Sequence, residues 1–426
     1  MTSSAILKSP LPYKAWVALS LLLAAGLLAA ALLGPPKFSY DEIPYLIQAM
    51  DEYLAAPDKT DYLSRGWTVP PGPVHLFIYY GLLPVTGNTP LASRVVNYIM
   101  VLGTVALLAA LLRAEGHTRG RAWFASFSLL AIPPAWLIAA LAITEIPALL
   151  FLMAALLLVH RETAPRTGLG EVSAGKNRLP LLLLAGVSFG VSIVGRQPYL
   201  LVLPMLALLM LWWRAPLGLV TAFVIASLVL PIFMFSVWGG LVAPMAKYSN
   251  SGIRWQHGVM SVCYLGMCLV FLCPWWLLRV PWRLLAGVSA GALILNSLVL
   301  GVKRAFLETL ALRYLPVTRE AWEIVGGSVC VAMAAVTLAC LAYHCWMARD
   351  QPLYLFSAAS ALALAGTAAA ISHNFSSRYP TMAVPFLIIM SMRHREWGAL
   401  EALSTVAGAG LGAMVLWSYH ITSLAG

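Results

Sequence analysis

The chain is a succession of apolar runs, most of them about as long as a helix needs to cross a bilayer. They fall at about 15–34, 92–112, 122–141, 144–160, 180–195, 198–213, 216–238, 258–278, 284–301, 323–346, 352–372, 381–392 and 399–420. In hydrocarbon such a run must satisfy its own backbone hydrogen bonds, and a helix does so. The expected fold is an all-α polytopic membrane protein of about 11–13 transmembrane helices, forming one domain over 1–426. Hydrophobic residues make up 61% of the chain and charged residues 10%. Soluble domains are roughly 45–50% apolar and about 25% charged, so a soluble enzyme, a disordered chain and a nucleic-acid binder are excluded. Long unbroken runs also exclude the alternating strands of an outer-membrane barrel.

Lys8 and Lys14 precede the first run, and Gly34-Pro35-Pro36 makes a poor cleavage site. The run therefore reads as a first span with the N-terminus in the cytoplasm. Alternation then places Arg113, Arg119, Arg121, Arg161, Arg166, Lys176, Arg178, Arg214, Arg279, Arg283, Arg349, Arg393 and Arg395 in cytoplasmic segments. This agrees with the excess of basic residues on that side of membrane proteins. It does not absorb the whole net charge of +11. The opposite segments hold most of the acids, and also Arg196, Lys247, Arg254, Lys303, Arg304, Arg313, Arg319 and Arg378. An outer face with its own carboxylates and many arginines suits chemistry on an anionic substrate.

The six cysteines lie in apolar stretches, with spacing that fits neither a zinc site nor a disulfide framework. The linker 163–178 contains GLGEVSAGK, which lacks the phosphate-loop spacing and a preceding strand.

The first outer loop, 35–91, carries more structure. Ile43, Leu46, Ile47, Met50 and Leu54 share one helical face, which predicts an amphipathic helix lying on the membrane surface. A second short helix is expected from Gly72 to Leu83. Asp41 and Glu42 fall where the first span meets the surface helix. They admit two readings, a helix cap beside a solvated acid, or a general base for an acceptor hydroxyl. Asp51 and Glu52 read as the solvated edge of that helix.

At this point the chain resembles polyprenol-dependent glycosyltransferases of the GT-C class, and in particular the dolichyl-phosphate-glucose α-1,2-glucosyltransferase family. The order is a span, an acidic pair, a surface helix, Thr68-Val69-Pro70-Pro71-Gly72, and a span led by Arg94-Val95-Val96-Asn97. Tyr40-Asp41-Glu42-Ile43 with Gln48-Ala49 resembles that family's Met-Asp-Glu-Ile…Gln-Ala-Gln loop. Thr144-Glu145 sits as its Thr-Glu/Asp-Ala does, and Arg196-Gln197 matches part of its Phe-Arg-Gln-Thr-Asn motif. Trp238-Gly239-Gly240 with Lys247, Ser249 and His257 resembles its Asn-Gly-Gly region, and Ser377-Arg378-Tyr379 its Asp-Asn-Arg-His-Tyr. Pro198-Tyr199 stands where the family has Thr-Asn, and Met245-Ala246 where it has Gly-Asp.

The resemblance implies a GT-C-like fold and a polyprenyl-phosphate sugar donor, with a glycan, lipid or protein as acceptor. The sugar would be a hexose, glucose by the family. Asp41 is implied as the base of an inverting single displacement, with Glu42 the alternative base. Arg196, Arg378, Arg254 and Lys247 are the implied ligands of the donor phosphate. Glu145, Gln197, His257 and Tyr379 are candidate substrate contacts, Glu145 alternatively pairing with one of the arginines. Each arginine has a plainer alternative as an interface anchor, and each histidine as a packed side chain. No obligatory cofactor or metal is expected, since two adjacent carboxylates offer a hard cation too few ligands. The compact, Ala- and Leu-rich chain suggests a bacterial relative in the inner membrane, acting on the extracytoplasmic side. The competing class is a transporter or flippase for a lipid-linked sugar or another anion. Such a protein would tend to show repeats and ionisable groups at the membrane midplane, and neither is evident.

Overall fold

The computed structural model describes residues 11–35, 37, 42–87, 89–165, 178–245, 252–303, 312, 318–371, 376 and 378–425. Asp41 and Lys247 lie outside the described residues, as does most of the 163–178 linker. Among the described residues the regular structure is helical throughout. Among the described residues ten helices are long and apolar enough to cross a membrane, or eleven if one bent pair counts as a single span. The chain is thus a multi-pass integral membrane protein. It packs as two compact units that interleave in sequence. The first comprises 27–126 and 138–249, the second 1–26, 127–137 and 250–426.

Helix α1, Tyr13–Leu32, is followed by a π-type helical turn, Ile43–Gln48, that runs into α2, Ala49–Ala55. The expected surface helix is present, but its buried stripe is Glu42, Leu46, Ala49 and Met50. Ile43 and Leu54, expected on the apolar face, are exposed. The buried positions keep the i, i+4, i+7, i+8 spacing of one helical face, shifted from the expected one, so that a carboxylate turns inward. Helix α3, Val74–Thr86, is the second short helix of the loop.

Helix α4, Pro90–Ala114, starts with Thr89 Oγ1 accepting the Ala92 N–H (3.3 Å) and Pro90 in the first turn. The run at 122–141 is not one straight helix. It forms α5, Arg119–Phe127, then a 3₁₀ turn, Ser128–Ala131, and α6, Pro133–Ala140. The two halves meet at 87°. Pro133 cannot donate to the preceding turn and drives Ile132 to an extended backbone, φ −94° and ψ 118°. The freed groups find partners close by, with Trp136 Nε1 donating to Leu130 O (2.7 Å) and Leu129 to Ile132 fully buried.

The remaining helices of the first unit are α7, Glu145–Thr163, α8, Arg178–Gly195, α9, Val202–Trp212, and α10, Leu217–Trp238. Contacts at their ends define two rims. At one, Asn97 donates to the carbonyls of Ile138, Ala139 and Leu141 (2.7–3.0 Å), and Trp238 Nε1 donates to Leu63 O (2.9 Å). At the other, Glu115 pairs with His160, whose ring meets Trp213 edge-on. The bent pair therefore connects one rim to the other, and so does the short helix Gln197–Trp212. Arg113, Arg161 and Arg214 adjoin the Glu115 rim in sequence.

In the second unit, α11 is Trp255–Leu272, α12 Trp282–Leu295, α13 Arg319–Met347, α14 Pro352–Gly366, α15 Val384–Ser391 and α16 Ala399–Ala425. One of its rims gathers Trp276, His344, Tyr354, His394 and Arg279. The other brings the Arg254 N–H to Ala369 O (2.7 Å). Five of the six cysteines are buried and all are free thiols.

Gly72 shows how tightly the first loop is fitted. Its N–H donates to Val194 O (2.9 Å), and an added Cβ would run into that same carbonyl oxygen. Gly72→Ala is expected to cost about 1–3 kcal/mol, as overpacking of a tight contact does. A lowered unfolding temperature of the detergent-solubilised protein checks this.

Candidate functional site

The first unit carries two ion pairs with buried carboxylates at the rim that holds the loop after α1. Glu42 is fully buried and pairs with Arg94, Nη2 to Oε2 at 2.6 Å and Nε to Oε1 at 3.0 Å. The Ala142 N–H also donates to Glu42 Oε1 (2.9 Å). Arg94 also donates to Pro35 O (2.8 Å) and Lys37 O (3.1 Å). A buried cation in the second turn of an apolar helix needs such satisfaction, since neither water nor lipid can provide it.

The second pair is Glu145 with Arg196. Glu145 opens α7 and is 2% exposed, and Thr144 Oγ1 donates to it (3.3 Å). Arg196 stands with an extended backbone between α8 and the turn Gln197–Leu201. Of the two alternatives for Glu145, the structure displays the pairing with an arginine. The neighbouring Gln197 Nε2 donates to Pro70 O (2.7 Å), tying this turn to the Pro-Pro segment of the first loop.

His75 lies beside these groups, 1% exposed, with Nε2 donating to Tyr45 O (2.5 Å). Burial pushes its imidazole down to about 4, and the Arg196 cation acts in the same direction, against the carbonyls of Tyr45 and Gly72. The unfolded chain therefore binds a proton that the folded chain refuses between about pH 6.5 and 4. Stability is full above that window and falls as the pH drops through it. Thermal unfolding scanned from pH 7 to 4 should slope more steeply for the wild type than for His75→Gln.

No protein-family model and no curated protein matches the chain. The fold is similar to two crystal structures of ArnT from Cupriavidus metallidurans. The apo state aligns at 14% identity and TM-score 0.46, covering 96% of this chain and 78% of that one. The form bound to undecaprenyl phosphate aligns at 16% and 0.43, with the same coverage.

The other described candidates belong to the second unit. Arg378 and Tyr379 are buried at the start of the 3₁₀ turn Tyr379–Ala383. His257 is buried in the first turn of α11, with Nδ1 at 2.7 Å from Ile371 O. Arg254 precedes that helix with an exposed side chain. Arg94 and Asn97 are the functional candidates that sequence reasoning passes over as motif letters. The signal is present, a cation and an amide three residues apart inside an apolar span. Among the described residues no three His, Cys, Asp or Glu side chains gather as a metal site would require.

Proposed function

We propose that the chain is an integral membrane glycosyltransferase that moves a sugar from a polyprenyl-phosphate carrier to an acceptor hydroxyl. By sequence resemblance the sugar is a hexose, with glucose favoured. The Glu42–Arg94 rim faces the extracytoplasmic side of a bacterial inner membrane, and the arginine-rich opposite rim faces the cytoplasm.

The observation that carries this reading is that one rim of the first unit holds both the loop after α1 and Arg196. Asp41, next to Glu42 in sequence, removes the acceptor proton as that oxygen attacks the anomeric carbon. The bond from that carbon to the phosphate oxygen breaks, and its electron pair leaves with the polyprenyl phosphate. Arg196 binds the departing dianion by charge-assisted hydrogen bonds. Arg378, Arg254 and Lys247 are the further phosphate ligands of this reading. Gln197, His257 and Tyr379 are its substrate contacts. The step inverts the anomeric centre and needs no metal. Glu42, with both oxygens engaged, holds the loop and does not act as the base.

The test incubates purified protein with a panel of polyprenyl-phosphate sugars and candidate acceptors, and follows donor consumption and the new glycosidic bond. Arg196→Lys, which keeps the charge but loses the planar fork, should raise the donor KM by about 10-fold, the worth of one charge-assisted bond. Uptake of intact lipid-linked sugar by sealed vesicles, with no new bond, would overturn the reading in favour of transport.

A further inference from the structure

Arg94 makes contacts that reach beyond its own ion pair. Its guanidinium, 1% exposed, donates to the Pro35 and Lys37 carbonyls and to both oxygens of Glu42. Those acceptors flank position 41 in sequence, two before it and one after. Glu42 in turn accepts the Ala142 N–H, and only Ile143 and Thr144 separate Ala142 from Glu145, the partner of Arg196. Asn97, one turn along the same face of α4, fixes the stretch just before Ala142 through three carbonyls. The end of α4 therefore grips the loop after α1 with one residue and the 138–142 segment with the next.

We propose that Arg94 is a positioning residue for the transfer. It couples Pro35, Lys37 and Glu42, which flank Asp41 in sequence, to the segment that leads into Glu145, the partner of Arg196. This rests on the transferase reading above. A misplacement of about 1 Å at a reacting group can cost 10²-fold in rate. Arg196 keeps its own bond to Glu145 in such a variant, so donor binding is retained and the loss falls on kcat and not on KM.

Gly34 belongs to the same arrangement. A Cβ there would sit 2.8 Å from Arg94 Nη1, so an alanine would push the guanidinium from its place.

The decisive variant is the double substitution Glu42→Gln with Arg94→Gln. It removes both buried charges together, and the shorter glutamine side chain in place of Arg94 cannot reach the acceptors that the guanidinium holds. The expected result is near wild-type unfolding temperature, kcat lowered about 10²-fold and donor KM within about 3-fold. Amide exchange in 138–145 should accelerate in the same variant. Gly34→Ala is the milder companion should the double variant not fold, with kcat expected to fall about 10-fold at unchanged KM. A stable double variant that transfers at the wild-type rate overturns the assignment. If the wild type consumes no donor, the transferase reading fails instead. Exchange then still decides the coupling, since unchanged protection of 138–145 overturns it and faster exchange supports it.

Discussion

Asp41→Asn is expected to abolish most transfer, lowering kcat by about 10²–10⁴-fold, the usual contribution of a positioned acid or base. The acceptor oxygen becomes a competent nucleophile only as its proton departs, and an amide cannot take it. Donor binding should persist, because the phosphate is held by cations that the substitution leaves in place. The measurement compares donor consumption and donor KM of the variant with the wild type at matched unfolding temperature. Near-normal turnover would remove Asp41 from the mechanism. The adjacent Glu42 carboxylate is already engaged by Arg94 and by the Ala142 N–H.

Glu42→Gln and Arg94→Gln, made singly, should act on stability before rate. Each leaves one charge buried without its counterion, a loss of about 3–5 kcal/mol when such a pair is broken on one side. The unfolding temperature of either single variant should fall well below that of the double variant, which strands no charge. A single variant as stable as the wild type would mean that water reaches the pair. Two neighbouring carboxylates thus give opposite signatures, position 41 a slow but intact protein and position 42 an unstable one.

Helix content is legible because apolar length is a direct physical demand of the bilayer. Each of the apolar runs reappears as a helix, a bent pair or a shorter rim-to-rim segment. The bend at Pro133 is readable in principle from the Pro-Pro pair, but run-finding averages over it. The surface helix can be anticipated, while its facing cannot, because the apolar pattern gives no sign of the ion pair that buries Glu42. Its partner lies 52 positions away, and no local pattern announces a pairing at that distance. The same holds for Glu145 and Arg196, 51 positions apart, although each stands out by its place at a span end. His257, Arg378 and Tyr379 are candidates by family resemblance alone, and their side chains are buried within the second unit.

The right-angled break at Ile132–Pro133 fixes the length of its own segment. Amide and carbonyl groups are released there inside an apolar run, whose side chains offer them few partners. They are tolerated because protein encloses them, with Trp136 reaching back to Leu130 and Arg395 bonded to Ser128 (2.6 Å). Adding or deleting one residue between Ser128 and Ala142 would rotate some of those groups toward lipid. It would also pull the Ile138–Leu141 carbonyls off Asn97. Insertions in this lineage should accumulate elsewhere, for example along Trp282–Leu300, where only 11% of the span is enclosed by protein.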